Sequence, residues 1–293
     1  MSAERRKAFL VLLLAVFCFS FSSIFIRMSE APAPAIAAYR MVLATLLIAP
    51  FALLRLRSKP LTLGRNDAWF LLATGLVLAL HFLFFVSAVQ NTTVASATVL
   101  INSHPIFVVF LAFLLLHEGN RFTTMGALVG VAGIIVISLG DLGSGNIAGD
   151  MLAVLGAAME ALYIIMTRFM RRKVDIMTFV LLVNGACAAF LVLICVATGV
   201  PLWPYSEREL LLFLGMAIIP ATLGYTLYNW SLKYLLAPQV SVTQLGEALF
   251  ASAMAVVLFS EFPSASLLLG ALLIVTGIYL AVSRRKRESL ENI

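Results

Sequence analysis

The segments GALVGVAGIIVIS, residues 126–138, and GALLIVTGIYLAVS, residues 270–283, are two copies of one apolar pattern that is interrupted by glycine. Their first residues lie 144 positions apart. A glutamate precedes each copy, and Glu118 and Glu261 are separated by a similar offset of 143. The repeated pattern predicts that the chain consists of two homologous halves.

The composition of the chain is that of a membrane protein. Hydrophobic residues make up 62% of the 293 residues and charged residues make up 12%, whereas an average soluble domain has about 25% charged residues. A soluble fold would have too few charges to cover its exterior. The formal net charge of +6 comes from short basic clusters between apolar runs rather than from one basic face, so we expect no nucleic-acid partner.

The apolar runs are long enough to cross a lipid bilayer as helices. A bilayer core of about 30 Å needs about 20 helical residues. We therefore predict an all-α integral membrane protein with ten transmembrane helices, at residues 8–28, 33–54, 68–89, 92–116, 122–140, 148–168, 174–199, 209–232, 236–259 and 263–282. The first half covers 8–140, the second half covers 148–282, and a basic cytoplasmic tail follows at 283–293.

The basic residues predict the orientation of the helices. With a cytoplasmic amino terminus, every Lys and Arg except Arg27, Arg40 and Arg208 falls on the cytoplasmic side. This asymmetry places both termini in the cytoplasm, and we expect a multi-pass protein of a prokaryotic inner membrane. The apolar run after Arg5 extends to Ile26. Because a signal peptide has an apolar core of only about 7 to 15 residues, this run is predicted to be the first span.

Each half contains five predicted spans, an odd number, so the second half must cross the membrane in the direction opposite to the first. Inverted repeats are a common design of secondary transporters, in which the solute site lies near the midplane and access alternates between the two sides. We therefore predict a secondary transporter with a cavity between the repeats. Because one chain contains both halves, a monomer could form the pathway. We expect no cofactor.

Several motifs, in order along residues 8–282, resemble the EamA family of the drug/metabolite transporter superfamily. Helix two reads PAIAAYRMVLATLLIAP, with Arg40 where that family usually has Arg, and helix four reads SHPIFVVFLAFLLLHE, with Pro105 and Glu118. The second half adds YNWSLKYLLAPQVSVTQLGEALF and GALLIVTG. The resemblance implies ten helices in two repeats, a central cavity and transport of small metabolites, often outward. It implies no single substrate, because members handle amino acids, nucleotide derivatives and drugs.

The sequence departs from the family pattern in helices one, six and nine. Helix six has Glu160 where relatives often carry Trp, and helix one has Phe19 and Ser20 where Trp and Gly are common. In helix nine Ala248 follows Glu247, where the family commonly has Pro after the glutamate. Residue roles in relatives therefore transfer least well to positions 19 and 160.

Glu160 lies inside a largely apolar run from Ile147 to Arg168, near the middle of the predicted sixth helix. An acidic side chain at the centre of a membrane helix costs about 2.5 to 3.5 kcal/mol, so such a residue usually faces a cavity or a partner. Tyr163 follows at helical spacing on the same face. We predict that Glu160 binds a proton or a cationic group of the solute and couples the two. The alternative is a hydrogen-bonded carboxyl that only packs helices.

Other polar residues within the predicted spans complete a candidate solute site. His81 and His104 lie mid-helix and are candidates for hydrogen bonding to solute or for proton exchange; the alternative is a histidine that is satisfied within the core. Neither has a second ligand at metal-binding spacing, so we expect no metal site. The predicted substrate-binding residues are Glu160, Tyr163, His81, Asn102, His104, Tyr225, Asn229, Gln244 and Glu247.

The two halves are chemically unequal at corresponding positions. At offsets of 141 and 143, Glu160 corresponds to Phe19 and Glu247 corresponds to His104. The second half is thus expected to supply acid, and the first half imidazole and aromatic surface, which suits a cationic or amphipathic solute better than a simple anion. Arg40 is expected near the outer surface, in contact with water or in an ion pair. Its alternative role is to admit or release an anionic group.

Two other classes of function compete with transport. A membrane-embedded enzyme needs a metal-binding motif or a nucleophile with a base, and the sequence contains neither pattern, so we expect no enzyme. A sensor or scaffold is a further alternative, which a flux measurement would separate from a transporter. Within transport, the leading hypothesis is export of a small amino-acid-like or amphipathic metabolite. The alternative is proton-coupled efflux of lipophilic cationic drugs.

Overall fold

The computed structural model describes residues 3–58, 64–92, 100–138, 147–247, 249–250 and 265–283. All regular secondary structure in these ranges is helical. The helices of eight or more residues are α1 Ala3–Met28, α2 Ala33–Ser58, α3 Arg65–Asn91, α4 His104–Leu116, α5 Arg121–Ser138, α6 Ile147–Met170, α7 Ile176–Ala197, α8 Glu207–Ser231, α9 Ala237–Gln244 and α10 Ala265–Ser283.

Six of these helices, α1, α2, α3, α6, α7 and α8, are long and apolar enough to cross a membrane. The apolar parts of α4, α5 and α10 are shorter, at His104–Leu116, Arg121–Val136 and Leu268–Val282. The predicted fourth and ninth spans extend into residues 93–99 and 251–264, which lie outside the described residues. The described helices are thus those of a multi-pass membrane protein, and the count of ten spans stays a prediction.

The distribution of polarity over the bundle fits a lipid environment. Large apolar side chains lie exposed on the outside, among them Leu46, Phe51, Phe113, Leu268 and Tyr279. Charged and polar side chains lie buried inside, among them Arg40, His81, His104, Glu160 and Asn229. Soluble proteins rarely expose so much apolar surface, whereas polar groups in membrane helices usually face the interior of the bundle.

Helices α4 and α8 each contain a wider π-helical turn. In α8 this turn covers Ala217–Gly224 and includes Pro220, which has no backbone N–H and therefore interrupts the regular hydrogen-bond ladder. In α4 the turn covers Ala112–Leu116 and is followed by His117, whose φ of 52° is left-handed. Such turns are frequent at functional sites, and the one in α8 ends directly before the buried side chain of Tyr225.

Helices α5 and α10 are in backbone contact through the repeated glycines. A Cβ atom added at Gly126 would lie 2.6 Å from the carbonyl oxygen of Gly277, and one added at Gly133 would lie 2.7 Å from that of Gly270. The contacts advance along α5 while they recede along α10, so the two helices run in opposite directions. Small residues allow membrane helices to approach this closely.

The packing of the helices repeats between the two halves. α1 packs against α8 and α6 packs against α3, while α2 packs against α7 and α5 packs against α10. By chain order, α1 to α5 of the first half correspond to α6 to α10 of the second half. When every helix is exchanged for its counterpart, the same four pairs result.

Two corresponding loops, α1–α2 and α6–α7, also make equivalent contacts with the other half. Glu209, in the first turn of α8, accepts hydrogen bonds from Ser29 Oγ at 2.5 Å and from the backbone N–H of Glu30 at 2.9 Å, both in the loop between α1 and α2. Asp67, in the first turn of α3, pairs at 2.8 Å with Lys173 in the loop between α6 and α7. Each loop therefore rests on a helix of the other half.

Candidate solute-binding site

A small cavity lies in the centre of the bundle, between helices of both halves. Its polar wall consists of Ser22, Arg40, His81, Asn102, His104, Glu160, Tyr225, Gln244 and Glu247. The space open to water is about 70 Å³, whereas sites for drug-sized ligands measure about 300 to 1,000 Å³. In this conformation the cavity has room for a few water molecules and not for a solute of that size.

The structure brings most of the predicted site residues to this cavity but places Tyr163 and Asn229 behind its wall. Both side chains are fully buried, and the Tyr163 hydroxyl lies 2.7 Å from Asn229 Nδ2 and 3.0 Å from Asn229 Oδ1. Tyr163 is rotated about 60° around α6 from Glu160, which directs its ring toward α8. The pair therefore joins α6 to α8 beside the cavity.

Glu160 is held by residues from two other parts of the bundle. Its side chain is 2% exposed. Oε1 accepts a hydrogen bond from Gln244 Nε2 at 3.4 Å, and Oε2 lies 3.5 Å from His81 Nε2. Gln244 is oriented by Tyr228, whose hydroxyl donates to Gln244 Oε1 at 2.7 Å. The contact between Glu160 and His81 is longer than an ordinary hydrogen bond and is within the range of an ion pair.

The hydrogen bonds of His81 define which ring nitrogen carries a proton. Nδ1 lies 3.0 Å from the carbonyl oxygen of Gly156, and because a carbonyl only accepts, Nδ1 must carry the N–H. In a neutral ring Nε2 is then an acceptor that faces the carboxyl of Glu160. One proton between the two side chains makes this contact favourable, as imidazolium with carboxylate or as imidazole with carboxylic acid.

His104 presents its other ring nitrogen to the cavity. Its Nδ1 lies 3.2 Å from the carbonyl oxygen of Ile101 and so carries the N–H. Nε2 has no hydrogen-bond partner in the described part of the chain, which leaves an acceptor for an N–H group of a solute. Asn102 and Glu247 line the same wall. Among the described residues, no group of three or more His, Cys, Asp or Glu side chains is placed to hold a metal ion.

Arg40 lines the cavity as well, which corrects the expectation that it lies near the outer surface. Its side chain is 3% exposed. Helix α2 begins at Ala33, and seven residues at about 1.5 Å each carry Arg40 about 10 Å into the bundle. This depth follows from the position of Arg40 in the helix and can therefore be counted from the sequence. The first half therefore supplies a cation to the site in addition to imidazole and aromatic surface.

Aromatic rings cover much of the remaining wall. The guanidinium carbon of Arg40 lies 4.5 Å from the ring centre of Phe82 and 5.9 Å from that of Tyr225. Phe19 contacts Tyr225 at 4.9 Å, and Phe85 stacks on His81 at 6.0 Å between ring centres. The site thus combines a few charged and hydrogen-bonding groups with a wall of aromatic rings, which suits a small amphipathic ligand.

A second buried network lies at the carboxyl ends of α4 and α6. Arg168 Nη2 pairs with Glu118 Oε1 at 2.8 Å, and Arg168 Nη1 donates to the carbonyl oxygen of Leu232 at 2.6 Å. The other carboxylate oxygen of Glu118 accepts from the backbone N–H of Ala237 at 3.1 Å, at the first residue of α9. One ion pair therefore ties four helix ends together on one face of the bundle.

The sequence matches one family model twice, over residues 6–139 and 147–283, and that model describes the EamA-like transporter family. The two matches cover nearly the whole chain. The chain belongs to the EamA-like transporter family. The resemblance read from the motifs of helices two, four and eight to ten is thereby confirmed. Because the family consists of transporters, this EamA-like protein is a membrane transporter and not an enzyme.

Similar proteins occur in bacteria, archaea and plants. Two relatives carry the name uncharacterized transporter. One, from Clostridium kluyveri, is 23% identical over 85% of this EamA-like chain and 83% of its own length, and one from Archaeoglobus fulgidus is 24% identical over 95% and 98%. A WAT1-related chloroplastic protein of Arabidopsis thaliana is 29% identical over 84% of this chain and 61% of that protein.

The fold of this EamA-like chain also occurs in a solved structure. The chain of one crystal structure aligns with 95% of this chain and with 98% of its own length, with a TM-score of 0.79 and 21% sequence identity. The likeness at this identity concerns the fold and does not extend to a shared solute.

Proposed function

We propose that this protein is a secondary transporter that exports a small amino-acid-like or amphipathic metabolite by alternating access. The observation that carries the proposal is the buried polar cavity between helices of both halves, in which Glu160 faces His81 and Gln244. Intramembrane acids that face a cavity commonly belong to solute or proton pathways. Export is the direction that the family resemblance favours.

The two halves, 8–140 and 148–282, act in this proposal as inverted repeats with both termini in the cytoplasm. Three observations support it. The family model matches twice, the helix pairs repeat between the halves, and the glycine contacts make the corresponding helices α5 and α10 antiparallel. The excess of Lys and Arg on one side favours cytoplasmic termini in a prokaryotic inner membrane. One chain supplies both repeats, so a monomer is sufficient.

Glu160 and His81 form the coupling element of the proposed mechanism. They suit one shared proton, and a cationic group of the solute that binds Glu160 would displace it. Proton and solute would then exchange at the same carboxylate, which is the minimal requirement for antiport. The other charged or titratable groups on the wall are Arg40 from α2, His104 from α4, Tyr225 from α8 and Glu247 beyond α9.

The small volume of the cavity supports a mechanism with more than one conformation. A space of about 70 Å³ must widen before a metabolite enters. Glu118 and Arg168 tie four helix ends together on the face that the basic residues assign to the cytoplasm. In this proposal that network separates when the cavity opens toward the cytoplasm.

Proton-coupled efflux of lipophilic cationic drugs is the second candidate. The acids Glu160 and Glu247 and the aromatic wall favour a lipophilic cation. The buried guanidinium of Arg40 disfavours it, since a cation without an anionic group would meet a like charge in the same cavity.

Flux into liposomes that contain the purified protein tests the proposal. Labelled amino acids, nucleosides and cationic dyes are offered to liposomes preloaded with the same unlabelled solute, with and without a pH gradient. We expect accelerated exchange of amino acids and dependence of net flux on the gradient. The variant Glu30→Gln changes a side chain that is 88% exposed, so it should transport solute like the wild-type protein. Exchange no faster than in empty liposomes for every solute would exclude transport of these classes.

A further inference from the structure

We infer that Arg40 binds the carboxylate of the solute, so that the cavity selects a zwitterion. The inference rests on the proposed function and names its substrate class: small α-amino acids or compounds with the same pair of charges. In this arrangement Arg40 takes the negative end of the solute and Glu160 takes the positive end.

The first step of the argument is that the guanidinium of Arg40 is buried with few partners. Nη1 donates to Ser22 Oγ at 2.9 Å, while Nε has no acceptor within the described ranges. Those ranges also contain no carboxylate within ion-pair distance of Arg40. A guanidinium has five N–H donors, and a buried charge without a counter-ion is costly. Arg40 thus retains unused capacity for an anion.

The second step is the direction in which that capacity points. Arg40 lines the central cavity, and Phe82 and Tyr225 lie 4.5 and 5.9 Å from its guanidinium carbon, at cation–π distance. Neither ring is an anion, and the Nε–H has no acceptor within the described ranges. The forked N–H donors of an arginine match a carboxylate, which can accept two parallel hydrogen bonds from them.

The third step is the charge opposite Arg40. The same wall holds the carboxyls of Glu160 and Glu247 and the unpaired Nε2 of His104. These groups are acceptors for an ammonium group. A solute with only one charged group satisfies either Arg40 or these acceptors, but not both. A zwitterion satisfies both, and it adds no net charge to a buried site.

A purely structural role of Arg40 makes different predictions. In that case the contacts with Ser22, Phe82 and Tyr225 hold α2 against α1, α3 and α8, and the guanidinium takes no part in recognition. Loss of Arg40 would then lower stability and weaken all ligands to the same degree. Recognition instead requires that its loss weakens only ligands with a carboxylate.

Binding of leucine and two of its derivatives to the purified protein separates a recognition role of Arg40 from a purely structural one. Leucine is a zwitterion, leucinamide has only the ammonium group, and N-acetylleucine has only the carboxylate. The same sets based on alanine and phenylalanine cover smaller and larger side chains. Calorimetry or ligand-induced shifts in melting temperature report affinity without any transport. We expect the wild-type protein to bind the zwitterion of at least one set about tenfold or more tightly than both derivatives.

Two variants of Arg40 and one control complete the test. Arg40→Gln should weaken zwitterion binding about tenfold to a hundredfold and leave leucinamide binding unchanged or improved. Arg40→Lys keeps the charge but cannot form a bidentate pair with a carboxylate, so it should retain only part of the preference for the zwitterion. Arg208→Gln removes an arginine that is 60% exposed on the surface and should leave the preference unchanged.

The wild-type comparison needs no variant, so the inference stays testable if Arg40→Gln does not fold. It is overturned if the wild-type protein prefers no zwitterion in any set, or if Arg40→Gln keeps the wild-type ratio of zwitterion to amide affinity. Failure of the proposed function has a different signature. In that case the zwitterion preference and its loss in Arg40→Gln persist in binding, while no solute crosses the liposome membrane.

Discussion

The Nε2 atom of His81 in α3 lies 3.5 Å from the Oε2 atom of Glu160 in α6, and the opposite ring nitrogen of His81 is fixed by the carbonyl oxygen of Gly156. In the proposed mechanism the exchangeable proton is the one shared by His81 and Glu160. We expect Glu160→Gln to abolish the dependence of flux on the pH gradient, because an amide cannot take up the proton. Solute exchange at equal pH should continue with lower affinity, because the amide lacks the charge that attracts a cationic group.

The control for this prediction is Glu30→Gln, which changes an exposed glutamate and should preserve the pH response. Measurement of gradient-driven flux and of exchange in the same liposomes separates loss of coupling from loss of binding. A pH response of Glu160→Gln equal to that of the wild-type protein would assign the proton to another group.

Tyr163 and Asn229 are expected to stabilise the bundle rather than to bind solute. Tyr163→Phe leaves the amide of Asn229 buried without its partner, which should cost about 1 to 3 kcal/mol and lower the melting temperature in detergent. Replacement of both groups, Tyr163→Phe with Asn229→Leu, should recover part of the loss, since no polar group is then left unpaired. A fall in solute affinity at unchanged melting temperature would instead support the binding role predicted from the sequence.

The glycines that join α5 to α10 are expected to tolerate no side chain. Gly126→Ala would place a Cβ atom 2.6 Å from the carbonyl oxygen of Gly277, so the helices must separate, and we expect a loss of about 1 to 3 kcal/mol. Gly185→Ala is the matched control, because its Cβ would meet only Thr45 Cγ2 at 3.7 Å. Equal melting temperatures of the two variants would contradict the tight crossing.

The ion pair between Glu118 and Arg168 is expected to contribute far more than a surface pair. Both side chains are nearly buried, so Glu118→Gln should cost about 3 to 5 kcal/mol by leaving the arginine unpaired. Asp67→Asn breaks the partly exposed pair with Lys173 and should cost about 0 to 1 kcal/mol. Chemical unfolding of both variants in detergent compares them, and similar losses would show that Arg168 finds another partner.

The sequence predicted the elements of this fold well because the bilayer imposes a simple length rule on apolar runs. The predicted spans 33–54 and 174–199 agree with α2 and α7 to within a few residues. Glu160 was identified for the same reason, since an acid within an apolar run is visible without knowledge of neighbouring helices. Its orientation toward the interior followed from the cost of placing an acid against lipid.

The sequence could not identify which helices meet the polar residues. Tyr163 lies on the same broad face of α6 as Glu160. The position of α8 then determines that the Tyr163 hydroxyl contacts Asn229 and not the cavity. The protonated nitrogen of His81 depends on a carbonyl of α6, 75 positions away. The predicted position of Arg40 near the outer surface was wrong, because seven helical residues from the start of α2 carry it about 10 Å into the bundle.

The origin of the charges in the cavity has a consequence for how such a protein can diversify. Arg40 comes from α2, in the first half, whereas Glu160 comes from the second. In a homodimer of identical five-helix subunits, the two-fold symmetry axis would repeat every residue. An arginine that one subunit supplied to the cavity would then also be supplied by the other subunit. Fusion of two copies into one gene removes that constraint, and a single mutation can then give the binding site a polarity.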